Sequence, residues 1–272
     1  MPEGPEVHRM ARKLARVLVG RPLHDLELRY PSIRAHQARL AAHQITAVDS
    51  RGKAFLLRFG RKGTLYVHLQ LYGRWRIHRL STEPRTNRTL RVALVTQTHQ
   101  ALLYSATDLE VLSERGERVH PYLSRLGPDL FDPELTAEAI ADRVMSKAFG
   151  GRQLAGLMLD QSFVGGIGNY LRAEMLFVAG IDPHRKGRSL HVEEAIALGE
   201  AVLMVGRRAL DQGGYTTDEE LHELAQRRGW SKRRVRHYVF GRDDQACFVC
   251  GTGLSRQNVG GRRMYWCRSC QE

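Results

Sequence analysis

The tightest constraint on this chain is the placement of its four cysteines. All four fall within the last 26 of its 272 residues, as Cys247-Phe248-Val249-Cys250 and Cys267-Arg268-Ser269-Cys270, with sixteen residues between the pairs. That spacing is the signature of a module in which each pair delivers two thiolates to one tetrahedral ion. A disulfide framework would scatter its cysteines and would need an oxidising compartment. Four thiolates fill the coordination shell of zinc and leave no position for a reacting water. The expected ion is therefore one structural Zn2+, and a zinc deaminase is excluded. The segment between the pairs predicts a hairpin with Gly260-Gly261 near its tip and Arg256, Arg262 and Arg263 beside it. Such a tip suits close approach to a phosphate backbone; the plainer reading is a solvated basic loop.

Charge points the same way. Lys and Arg number 42 against 29 Asp and Glu, a formal net charge of +13. A field of that sign favours a polyanionic partner, nucleic acid ahead of a membrane surface. The N-terminus, Met1-Pro2-Glu3-Gly4-Pro5-Glu6, carries acids and prolines where a signal peptide has a basic stretch and an apolar run. No membrane span is expected, and the expected compartment is the cytoplasm.

Periodicity divides the chain. Val7, Met10, Leu14, Val17 and Leu18 recur at helical spacing up to Gly20, with Arg9, Arg12, Lys13 and Arg16 on the polar side. From about Arg21 to Ser105 the period is nearer two, with strands predicted over 54–59, 64–69, 74–78, 90–95 and 101–105. Several short strands separated by turn signals suggest a β-sandwich. Pro128-Asp129 and Asp132-Pro133 mark a connector. Helices are predicted over 136–144, 153–161, 170–179 and 192–210, while the polar stretch 215–230 reads as a loop. The fold class expected is α+β and multidomain. An N-terminal β-sandwich domain with a leading helix covers 1–125 and a linker 126–135. A helical DNA-binding domain follows over 136–236, and a four-cysteine zinc finger over 237–272.

The start of the chain carries chemistry as well as structure. Pro5 and Glu6 are explained by a helix start, but a proline directly after the initiator methionine is not. Once Met1 is removed, Pro2 becomes a secondary amine with an ordinary pKa of roughly 8. Burial or nearby cations would lower it and free a nucleophilic lone pair. Such an amine condenses with a sugar aldehyde carbon to an iminium ion, and Glu3 beside it suits a proton shuttle.

Four marks in order now resemble one family, the formamidopyrimidine-DNA glycosylases and endonucleases VIII of bacterial DNA repair. They are the Met1–Glu6 start, Arg51-Gly52-Lys53 before a strand, Gly165-Gly166-Ile167-Gly168-Asn169-Tyr170 between two helices, and the terminal cysteines. The resemblance covers essentially the whole chain. Gln70-Leu71-Tyr72 is similar to the endonuclease VIII branch, where the other branch usually carries a Met-containing loop.

The resemblance implies a bifunctional DNA glycosylase and abasic-site lyase of base excision repair, acting mainly on oxidised pyrimidines in double-stranded DNA. It implies that Pro2 attacks C1′ of the damaged nucleotide, that Glu3 is the acid/base, and that Lys53 supplies a proton in β-elimination. Arg262, five residues before Cys267, would contact the flanking phosphates and assist δ-elimination. Arg125 would touch DNA. Asn169 with its glycine turn would grip phosphate in a helix–two-turn–helix, and Gln70, Leu71 and Tyr72 would fill the hole left by an everted nucleotide. For the turn, the lysine, the arginine and the loop, the plainer readings are a tight connection, two surface cations and core-facing strand residues. A monomer is expected, because one chain holds every catalytic part. Three rival readings remain: a formamidopyrimidine-type enzyme for oxidised purines, a zinc-dependent DNA-binding protein without activity, and a relative that prefers single-stranded or bubble DNA.

Overall fold

The computed structural model describes residues 2–82 and 84–272. Met1, whose removal the amine chemistry requires, lies outside the described residues, as does Glu83. The chain divides into two compact units, 1–125 and 126–272.

The first unit opens with α1 (Gly4–Leu18). Its Val7, Ala11, Leu14 and Leu18 are buried on one stripe, and each buried Val or Leu contributes roughly 1.5–3 kcal/mol. Gly20, at φ +69°, turns the chain out of the helix. There follow β1 (Asp25–Leu28), the short helices α2 (Pro31–Arg34) and α3 (Gln37–Ala41), then β2 (Ala47–Arg51), β3 (Ala54–Arg58), β4 (Thr64–His68), β5 (Arg74–Arg79), β6 (Leu90–Val95), β7 (His99–Tyr104), β8 (Asp108–Leu112) and α4 (Glu114–Val119). Among the described residues these strands make two antiparallel four-stranded sheets, ordered β1-β6-β7-β5 and β2-β3-β4-β8. Leu26 and Leu28, Leu94, Leu103, Phe55, Leu57, Leu65 and Val67 meet with the stripe of α1 in one core, so the sheets pack as a sandwich.

In the two central strands of the second sheet, β3 and β4, the alternate residues do not face water either. Ala54, Leu56 and Tyr66 are covered by Tyr122 and Leu123. This double burial is why 54–57 reads as a continuous apolar run. The period-two reading of 21–105 missed α2 and α3, which are a turn or so each and leave little helical pattern.

The second unit contains α5 (Ala137–Met145), α6 (Leu154–Leu157), α7 (Asn169–Val178), α8 (Val192–Asp211) and α9 (Glu219–Arg227), then the hairpin β9 (Ser255–Val259) and β10 (Arg262–Trp266). One core joins the helices to Cys247, Leu254, Met264, Tyr265, Trp266 and Cys267. The connector residues Asp129 and Asp132 each accept a backbone N–H two residues on, at 3.0 Å, which makes two tight turns; Leu130 between them reaches the core. The helix expected over 153–161 stops at Leu157, because Asp160 turns back to accept from the Ser162 amide and hydroxyl.

The stretch 215–230 is a helix for most of its length, not a loop. Asp218 caps α9 by accepting from the Leu221 amide at 2.9 Å, Glu219 and Glu220 sit in its first turn, and Leu221 and Ala225 are buried. Its apolar face is only two residues deep, which hid the period.

His237 lies half-buried beside Tyr170, ring centroids 5.1 Å apart, with Nδ1 2.9 Å from the Thr216 hydroxyl. Burial pushes its pKa down to about 4, against the opposing charge of Glu174. The folded state therefore keeps the ring neutral while the unfolded chain takes up a proton near pH 6.5. Stability is fully present above pH 6.5 and falls as the pH drops toward 4, by ~3 kcal/mol in all for this group. Chemical denaturation of the native chain and of His237→Gln at pH 7.5 and 4.5 checks this. The native chain should lose more stability between the two, and equal losses would remove His237 as the cause.

Candidate functional site

Pro2 stands half-buried just ahead of α1, and Glu3 is the N-cap residue, only 3 % exposed. The Glu6 carboxylate accepts the Glu3 amide at 3.0 Å, closing the helix start on itself. A chain end that would otherwise fray is thus fixed. Pro2 lines a pocket of about 360 Å³ together with Leu71 and Tyr72, and Arg9, Lys13, Arg74 and Arg88 stand on its walls. The structure therefore brings together the expected amine and the expected wedge loop, with four cations and the Glu6 carboxylate around them.

The loop between β4 and β5 has an unusual backbone. Gln70 is left-handed, at φ +53°. Its amide donates to His68 Nδ1 at 3.2 Å, and its side-chain Nε2 donates to Asp108 at 3.0 Å. The Gly73 amide closes the turn on the Leu69 carbonyl at 2.8 Å, and a Cβ on Gly73 would sit 2.5 Å from that same oxygen. Only glycine fits there. The result holds Leu71 and Tyr72 out at 65 % and 70 % exposure, while Leu69 is buried. Arg88 braces the loop from outside, donating to the Tyr72 carbonyl at 2.8 Å. Of the three loop residues expected at the wedge, two project and the third, Gln70, is tethered.

Lys53 sits at the start of β3, in the tight hairpin from β2, and is 8 % exposed. Its amide donates to the Tyr122 hydroxyl at 2.9 Å, and the Tyr122 ring meets His68 edge-on at 5.2 Å. Burial lowers the basicity of His68; the Asp108 charge opposes this and Lys53 adds to it. The ring is then neutral near pH 7, with Nδ1 as the acceptor that Gln70 requires. Arg125 is exposed in the short turn Leu123–Arg125 that ends the first unit. Sequence reading missed His68, Tyr122 and Arg88, because a single His, Tyr or Arg carries no spacing signal.

In the second unit, Asn169 opens α7 behind the N-cap Gly168. Its Nδ2 donates to the Arg263 carbonyl at 3.0 Å, so the glycine turn and the finger tip are neighbours. Its Oδ1 is buried without a partner. Arg262 and Arg263 are exposed at the start of β10, beyond the two-residue turn Gly260-Gly261, both left-handed at φ +60° and +74°.

The four cysteines converge. Their sulfurs lie within 4.8 Å of one another, the one such group of metal-ligating side chains among the described residues. Cys247 and Cys270 Sγ are 3.9 Å apart, and Cys250 and Cys267 Sγ 3.4 Å. A tetrahedron with metal–sulfur bonds of about 2.3 Å has edges of about 3.8 Å. Disulfides would need about 2.05 Å. The donor set therefore fits one four-coordinate ion. Gly251, at φ +78°, and the Cys247–Thr252 backbone bond at 2.8 Å shape the first knuckle.

Two buried charges on α7 went unread. Arg172 and Glu174 are fully buried. Glu174 accepts the amides of Tyr238, Val239 and Phe240 at 2.7–2.9 Å and the Thr216 hydroxyl at 2.6 Å. The missed signal was the helix itself: Tyr170, Leu171, Ala173, Met175, Leu176 and Phe177 are apolar all round, so charges among them had to be buried and partnered.

The sequence matches the formamidopyrimidine-DNA glycosylase N-terminal domain over residues 1–108 and the H2TH domain of the same enzymes over 126–220. It is 41 % identical over 271 residues to endonuclease 8 of Escherichia coli K12/DH10B, and 40 % identical to that of the O6:K15:H31 strain 536, covering all of both chains in each case. Among solved structures, the formamidopyrimidine-DNA glycosylase of Lactococcus lactis bound non-covalently to DNA with an abasic site superposes with a TM-score of 0.81 over 99 % of both chains at 22 % identity. A further complex, of MutM with DNA carrying carbocyclic 8-oxo-G, gives 0.80 over 100 % of both chains, also at 22 % identity. Those two likenesses show the fold, and the full-length identity to the curated relatives shows the branch. The chain belongs to the formamidopyrimidine-DNA glycosylase and endonuclease VIII family, on its endonuclease 8 branch.

Proposed function

We propose that the chain is a bifunctional DNA glycosylase and abasic-site lyase of base excision repair, removing oxidised bases, mainly pyrimidines, from double-stranded DNA. The observation that carries this reading is the cation-walled pocket that Pro2 shares with the projecting Leu71 and Tyr72. It works as a monomer in the cytoplasm. Residues 1–125 carry the chemistry, 126–135 connect, and 136–236 and 237–272 grip DNA.

The net charge of +13 draws the polyanion. A base inside the stack is out of reach, so its nucleotide is everted. Leu71 and Tyr72 occupy the gap, with Gln70 setting the loop that presents them. With Met1 gone, the Pro2 lone pair attacks C1′. The C1′–N bond breaks, its electrons leave with the base, which takes a proton with the help of Glu3, and the Pro2 nitrogen gives up its own proton so that its lone pair is restored. The nitrogen lone pair then expels O4′ from C1′, giving the iminium, and Glu3 delivers the proton that O4′ needs. Loss of a C2′ proton expels the 3′ phosphate, and a second, conjugate elimination expels the 5′ phosphate. Water returns the amine and leaves a one-nucleotide gap. Lys53 serves the proton transfers of β-elimination. Arg262 steadies the phosphate that leaves in δ-elimination, and Asn169 and Arg125 hold the flanking phosphates. Cys247, Cys250, Cys267 and Cys270 hold one Zn2+, which cross-links the finger and takes no part in bond breaking.

Borohydride should trap a covalent complex between the processed chain and a duplex with an abasic site; its absence overturns the amine mechanism. Cleavage should be faster on duplexes with thymine glycol than on those with 8-oxoguanine; the reverse order would place the activity on oxidised purines. Glu3→Gln should reduce base removal far more than cleavage at a preformed abasic site, by an order of magnitude or more, and equal losses would remove Glu3 from the acid role. Elemental analysis should find one zinc per chain, and chelation should lower the melting temperature and abolish DNA binding.

A further inference from the structure

Arg172 is the one fully buried arginine among the described residues, and the mechanism above makes no use of it. It sits in the first turn of α7, where the helix dipole favours anions and where no acidic side chain is present. Desolvating a guanidinium costs several kcal/mol, so its N–H groups must find acceptors. One terminal nitrogen donates to the Ala155 carbonyl at 2.5 Å, in α6. The other reaches the carbonyls of Arg262 and Arg263 at 3.4 and 3.5 Å. Asn169, three residues earlier at the start of the same helix, holds the Arg263 carbonyl at 3.0 Å.

The hairpin needs such a hold. Its tip is Gly260-Gly261, with no atom within 4 Å of either Cβ position, so nothing packs against the turn. The outer side chains of its first rungs are exposed. What orients the Arg262 side chain is therefore the backbone at its base, and that backbone is gripped from behind by α7.

We propose that Arg172 is a positioning residue: it fixes the 262–263 backbone and thereby aims the Arg262 guanidinium at the phosphate departing in δ-elimination. This rests on the lyase reading above. Arg172 touches no substrate atom and acts only through Arg262.

The test is a double-mutant cycle on a duplex with a preformed abasic site, reading the rates of β- and δ-product formation in single turnover. It uses the native chain, Arg172→Met, Arg262→Ala and the double variant. Borohydride trapping of the native chain comes first; failure there removes the lyase reading itself, and success leaves the cycle to judge Arg172 alone. Arg172→Met should slow the δ step roughly tenfold in the native background and by less than about twofold when Arg262 is already alanine. Arg172→Lys, which keeps the charge and a single donating nitrogen, should recover most of the rate. Equal fold-losses in both backgrounds, as a general loosening of the unit would give, overturn the proposal, as does no loss at all. Zinc content and melting temperature verify folding. If Arg172→Met does not fold, Arg172→Lys runs the same cycle, with a smaller loss that again must vanish without Arg262.

Discussion

The second unit depends on how α7 satisfies the charges it buries. A carboxylate and a guanidinium within an otherwise apolar helix would each cost several kcal/mol if left alone in the interior. Glu174 escapes that cost by taking three consecutive amides of 238–240 and a threonine hydroxyl. Those amides belong to the stretch that leads from the helices into the finger. Arg172 does the converse, spending its donors on carbonyls of α6 and β10. One helix thus binds backbone on either side of itself; the short charge-assisted bonds, those of Glu174 and of Arg172 to Ala155, are about twice as strong as neutral ones, and the reach of Arg172 to β10 is longer, at 3.4–3.5 Å. The glycine turn, the hairpin at 262–263 and the stretch leading into the finger are thereby referred to a common element.

The first unit solves a different problem. The nucleophile proposed for this unit lies near the start of the given sequence, where a protein is usually least ordered. Here Pro2 is one residue from a helix N-cap whose amide is held by Glu6, and the helix is anchored by its whole apolar stripe in the sandwich core. The opposite wall of the pocket is equally constrained. Gln70 is held left-handed by one bond to a neutral histidine and one to an aspartate, and Gly73 closes the turn. Apolar side chains at a loop tip remain in water only because the backbone beneath them has no freedom to withdraw them.

Much of this was legible in the sequence, where spacing carried the information. The cysteine pairs, the leading helix with its Gly20 stop, and α5, α7 and α8 were readable from period and punctuation. The apolar run at 54–57 signalled a strand but not that both its faces are covered. Elements of four or five residues, such as α2 and α3, leave no period to detect. Helix α9 was concealed because two buried residues suffice to dock it. Lys53, Arg262 and Asn169 were picked out by resemblance rather than by pattern, and His68, Tyr122, Arg172 and Glu174 were not picked out at all. Their roles come from which backbone they meet, and that is a property of the folded chain.

The glycines at 73, 260 and 261 answer to different limits. At 73 the obstacle to any side chain is volume, since a carbonyl oxygen already occupies the position. At 260 and 261 the surroundings are empty and the obstacle is torsion alone. Asparagine tolerates the left-handed region at modest cost, whereas valine or isoleucine does not. Drift at the finger tip is therefore open to a narrow class of replacements, while the turn beneath Leu71 and Tyr72 admits none.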